Sequence, residues 1–97
     1  MTKPVSELYL TKLTINAVQA ALISAVAKHG LEKTTLDKHM DSGLKLAILV
    51  EEVGEVAKEL IEHPPLTYSN SDNLVKELLQ VAAMALAWAQ AADNGGF

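Results

Sequence analysis

Apolar residues return at three- and four-residue spacing in three separate stretches of this chain, and turn-forming residues fill the breaks between them. The first stretch, Thr14 to Lys28, brings Ile15, Val18, Leu22, Ala25 and Val26 together; Thr14 can cap its start and Gly30 can end it. Ahead of it, Val5, Leu8, Leu10 and Leu13 fit either an irregular lead-in or an extra helical turn. From Leu31 to Met40 the chain turns polar, with Lys28, His29, Lys33, Lys38 and His39 around Thr34, Thr35 and Asp37, which reads as a basic connecting loop. Asp41 or Ser42 can cap a second helix reaching about Glu62, where His63-Pro64-Pro65 forbids continuation. Pro64 to Asn70 reads as a short loop. Ser69, Ser71 or Asp72 can then cap a third helix running to Asp93, closed by Asn94-Gly95-Gly96, with Phe97 expected to hang loose.

At about 100° per residue, Leu46, Leu49, Val50, Val53, Ala57 and Leu60 fall on one side of the second helix. Glu51, Glu52, Glu55, Glu59 and Glu62 fall on the other. Ile48 points into that acidic side, so another helix or a ligand is expected to cover part of it; Glu59 and Glu62 are expected to be solvated. The third helix is stranger. From Leu78 to Ala92 its only polar residues are Gln80 and Gln90, so its apolar surface wraps nearly the whole circumference. Three helices cannot bury such a rod alone, which predicts a bundle completed by a second copy of the chain. Its alanines would let neighbouring helices come close.

Composition supports an all-α single domain over residues 1–97: 49% of residues are apolar but only 4% aromatic, a palette suited to close helix packing. The absence of cysteine excludes a disulfide framework and thiolate zinc ligation. With a net charge of −4 and eight basic residues, all lysine, the chain is a poor partner for nucleic acid. No stretch has the pattern of a secretory signal or a bilayer-spanning helix, so no membrane association is expected and a cytoplasmic location follows.

The chemistry is carried by carboxylates in apolar surroundings. Glu52 and Glu55 lie one turn apart on the second helix, and Glu77 and Gln80 one turn apart near the start of the third. Like charges at that spacing repel unless a cation relieves them. A hard divalent ion such as Mg²⁺ takes oxygen ligands of this kind and is commonly shared between carboxylates and substrate phosphates. If the two helices pack antiparallel, Glu52, Glu55, Glu77 and Gln80 could surround one such ion.

These residues resemble the signature of the MazG-like all-α nucleoside triphosphate pyrophosphohydrolases, Glu-Glu-x-x-Glu on one helix followed by Glu-x-x-Asp on the next. Glu51-Glu52-Val53-Gly54-Glu55 matches the first half in full, and Glu77-Leu78-Leu79-Gln80 stands at the second. The likeness runs from about Leu44 to Ala92. It implies an all-α homodimer or homotetramer that binds Mg²⁺ through Glu52, Glu55 and Glu77. It also implies cleavage of a nucleoside triphosphate between the α and β phosphates, giving a monophosphate and pyrophosphate. Glu51, beside the ligands, would handle the attacking water, and with no arginine in the chain the phosphate contacts fall to lysines such as Lys28, Lys45 or Lys58, or to histidine. The departure is Gln80 where the family carries aspartate: an amide oxygen can ligate, but it brings no charge and cannot act as a base.

Plainer readings compete with these. An acidic stripe is often a solvated face, and Gln80 could equally make an interhelical hydrogen bond. Lys28 and His29 suit the negative end of a helix dipole without any substrate. Trp88 reads as core, with base stacking as its functional alternative. A non-catalytic helical oligomer that binds a nucleotide or a protein partner is the rival to the enzyme.

Overall fold

Three helices, α1 (Lys12–His29), α2 (Ser42–Glu62) and α3 (Tyr68–Asp93), and a 3₁₀ turn at Leu31–Lys33 make up the regular structure of the computed structural model, which describes residues 8–63 and 68–97. Among the described residues there is no strand, and no helix is long and apolar enough to cross a membrane.

Local chemistry explains most boundaries. The cap of α1 is Thr11 rather than Thr14: its side chain accepts the backbone N–H of Thr14 at 3.1 Å, so Thr14 sits inside the first turn and the helix begins at Lys12. Gly30 ends α1 at φ 90°, a conformation costly for any residue with a Cβ, and its N–H returns to the Val26 carbonyl. Of the two candidate caps for α2, Asp41 is the one used, accepting from the Gly43 N–H at 2.9 Å. Helix α3 starts at Tyr68, earlier than the caps expected for it; Asp72 lies inside the helix, and the side chains of Ser69 and Ser71 lie outside the described residues, as does most of the loop expected over 64–70.

The C-terminal end of α3 corrects another expectation. Gly95 takes φ 84°, the Gly96 N–H reaches back to the Ala91 carbonyl at 2.9 Å and that of Gly95 to Ala92, a Schellman closure. Phe97, expected to be loose, is then held at three points. Its N–H donates to the Lys38 carbonyl, and its own carbonyl accepts from Ser42 Oγ at 3.0 Å and Trp88 Nε1 at 2.7 Å. Half-buried Trp88 is thereby committed to structure, and the tail ties the loop, α2 and α3 together.

Helix α3 is the spine. Both α1 and α2 pack on it and, among the described residues, not on each other. Ala83, Ala87 and Ala91, four residues apart, form a buried ladder along it, joined by Met84 and by Met40 from the loop. The loop is pinned rather than loose: Thr34 and Thr35 are buried, and Thr35 Oγ1 donates to the Met84 carbonyl at 2.6 Å.

The side of α2 turned toward α3 carries Lys45, Ile48, Leu49, Glu52, Val56 and Glu59, all buried or half-buried. This is the glutamate-bearing side that Ile48 marked as covered. Glu59 is drawn in with it, its Oε1 buried without a hydrogen-bond partner, whereas Glu62 is exposed. The opposite apolar flank of α2 stays open in the single chain, with Val50 60% and Val53 50% exposed beside Leu46 and Leu60.

Candidate functional site

Because α1 and α2 flank α3 without meeting, a gap runs between them over the spine. It forms a cavity of about 390 Å³. Helix α2 lines it with Ile48, Glu51, Glu52 and Glu55, and α3 with Lys76, Glu77, Gln80 and Met84. The remaining wall comes from Ser24, Ala25, Lys28 and His29 of α1 and from Lys33 and Thr34 just after it. The antiparallel pairing of α2 and α3 sets the register. Ser42 and Trp88 share the Phe97 carbonyl at one end of the pair, which leaves Glu52 opposite Glu77 further along.

The structure thus brings Glu51, Glu52, Glu55, Glu77 and Gln80 to one cavity. Glu52, Glu77 and Gln80 are half-buried on the inner walls, while Glu51 and Glu55 stand exposed at the rim. Partial burial holds the Glu52 carboxyl above its ordinary pKa, and the carboxylates of Glu77, Glu51 and Glu55 push it further the same way; His29 pulls weakly against them. The other three carboxylates are therefore close enough to be felt at Glu52. They are not gathered into a finished ligand shell: among the described residues no three Asp, Glu or His side chains come together as they would around an ion.

Lys28 lines this cavity, as its expected phosphate contact requires; Lys45 does not. It is fully buried on the inner face of α2, with Nζ lacking any hydrogen-bond partner, because its position on the helical wheel falls in the seam with α3. A fully buried amine cannot reach a ligand entering from solvent, so the structure removes Lys45 from the substrate-contacting set. Lys58 is exposed and also lies outside the cavity lining. Trp88 is absent from the lining as well, which leaves base stacking on it without a structural basis. Reading the sequence missed Lys33 and Lys76. Lys76 directly precedes Glu77, a position from which a signal was available, whereas the placing of Lys33 depends on how the loop is pinned to α3.

Two further recesses lie among the described residues. An apolar groove of about 320 Å³ between α1 and α3 is lined by Ile15, Val18, Leu22, Leu36 and Leu86, among others. A smaller one, of about 270 Å³, holds Lys38, His39 and Asp37 beside Asn94. The basic loop is thereby divided, with Lys33 on the acidic cavity and Lys38 and His39 on the side of the C-terminal clasp.

Compared with family descriptions, curated proteins and solved structures, the chain matches none.

Proposed function

We propose that the cavity between α1 and α2 binds a divalent cation together with the phosphate chain of a nucleotide, and that the protein is a Mg²⁺-dependent nucleoside triphosphate pyrophosphohydrolase of the MazG-like kind. The observation that carries this reading is the meeting of Glu51, Glu52, Glu55 and Glu77 with Gln80 around a single opening, with Glu52 already strained by its neighbours' charge. Hard oxygen donors in mutual repulsion are the donor set that Mg²⁺ relieves. Glu52, Glu55, Glu77 and Gln80 would hold it.

When bound, the ion supplies positive charge that screens the phosphates and polarises the bridge to be cut. The remaining tasks belong to the chain. Glu51 at the rim would accept a proton from an incoming water, and Lys28 would neutralise a phosphate oxygen. Gln80 contributes a neutral oxygen, so the ion would be held less tightly than by a fourth carboxylate. Such an enzyme belongs in the nucleotide-containing cytoplasm and, given the open flank of α2, works as a homodimer or larger homo-oligomer.

The test is release of pyrophosphate from a panel of nucleoside triphosphates with and without Mg²⁺. Wild type is expected to turn over at least one of them only when Mg²⁺ is present, and Glu55→Ala to reduce that rate to background. Absence of turnover across the panel would remove the enzymatic reading. The protein would then remain a helical oligomer that binds its ligand without chemistry.

A further inference from the structure

The acidic cavity is also basic, and its two charges are kept apart. Glu51, Glu52, Glu55 and Glu77 come from α2 and α3, whereas Lys28, His29 and Lys33 come from the end of α1 and the turn that follows, with Lys76 beside Glu77. Opposite charges sharing so small a space ordinarily pair. Here, among the described residues, none of these cations makes an ion pair with a glutamate. Their side chains line the opening instead.

The position of Lys33 is fixed from below. It is the last residue of the 3₁₀ turn, which the Thr34 N–H closes on the Leu31 carbonyl, and the next two residues are buried, Thr35 anchored to the Met84 carbonyl. Met84 lines the same cavity. A loop lysine would normally sample a wide volume, but this one is mounted on a backbone fastened to the spine, beside the C-terminal end of α1. Lys76 approaches from α3 on the other side of the space.

The geometry points to Lys33 and Lys76, assisted by Lys28 and His29, as a rim that binds the oxyanions of a small polyphosphate while the glutamates face the cation that accompanies it. This assignment rests on the nucleotide reading above and extends it to the residues that would grip the substrate's anionic end. Size and charge select a small molecule over a macromolecule. A cavity of about 390 Å³ lies within the range of small-ligand sites. A chain of net charge −4 repels an extended polyanion whose charge spreads beyond that opening.

Inorganic tripolyphosphate, titrated calorimetrically into the full chain in Mg²⁺ buffer, tests the rim without requiring turnover. Wild type is expected to bind saturably, more weakly as salt rises. Lys33→Gln and Lys76→Gln should each weaken binding roughly tenfold or more, with unchanged melting temperatures because both side chains are exposed. Lys38→Gln, on the far side of the loop, should bind as wild type. No saturable binding by wild type, equal binding by the Lys33 and Lys76 variants, or an equal loss in Lys38→Gln would each overturn the assignment. Its fate is separable from that of the enzyme. Lysine-dependent binding without pyrophosphate release leaves the rim standing and removes the catalysis; turnover with wild-type KM in both variants does the reverse.

Discussion

Glu52 concentrates the physics of the site in one side chain. Its folded-state pKa lies above the ordinary 4.5, so the folded chain holds that proton more firmly than the unfolded one does. Stability contributed by the protonated form is present at low pH and is lost as pH rises through the window above 4.5; at neutral pH the ionised group is a burden. Glu52→Gln is therefore expected to melt higher than wild type at pH 7 without divalent ions, and the gap should close as the pH falls toward and below 4.5 in a series of circular-dichroism melts. A gap that stays constant across that range would mean the amide stabilises by packing and not by removing charge. The repulsion from Glu51 and Glu55 could be read from Glu51-Glu52-x-x-Glu55, since helical spacing fixes those neighbours, but the larger effects of burial and Glu77 depend on how α2 meets α3. The inward turn of Lys45 could not be read either. It depends on which side of α2 meets α3, and an alternation of lysine and leucine along Leu44-Lys45-Leu46 does not reveal that a lysine occupies the seam while Leu46 faces out. Burying its amine without a partner costs at least the roughly 1–3 kcal/mol of a neutral polar group, so packing elsewhere must outweigh it.

At the scale of the elements, signals confined to one or two turns were legible and those spanning the chain were not. Asp41, Gly30 and Gly95-Gly96 act on backbone groups within a few residues, so their roles follow from residue type. The fastening of Phe97 to Lys38, Ser42 and Trp88 joins positions far apart in sequence, and no local pattern announces it. Gly96 makes this clasp possible: a Cβ built there would lie 2.3 Å from the Lys38 Cβ and 2.6 Å from its carbonyl oxygen. Backbone cannot retreat as a flexible side chain would, so Gly96→Ala is expected to cost about 1–3 kcal/mol. Loss of the Trp88 hydrogen bond should accompany this as a red-shifted fluorescence maximum. A variant that melts and emits as wild type does would show that the tail is not held at Lys38. Gly95→Ala would suffer for a different reason, its positive φ, with open space around the added methyl.

For the whole molecule the outstanding fact is how little apolar surface the single chain hides. Among the described residues, the buried apolar ones are two methionines and three alanines, Met40, Met84, Ala83, Ala87 and Ala91, while leucines and valines on α2 and α3 stand open. A lone soluble chain seldom exposes contiguous apolar patches beyond a few hundred Å². The all-apolar pattern of α3 anticipated such a deficit, but it did not show that the flank of α2 would supply much of the exposed surface. A second copy covering Leu46, Val50, Val53 and Leu60 is the economical remedy, and it leaves the cavity on the other flank unobstructed. Sedimentation should then find a dimer or larger assembly for wild type, and Val50→Lys with Val53→Lys should shift it toward monomer and lower its melting temperature. A wild-type chain that sediments as a well-folded monomer would refute the pairing.

The separation of α1 from α2 has one more corollary. Since neither wall leans on the other, the breadth of the chasm is dictated by how each settles onto the spine, whose Gln80 and Met84 form its floor.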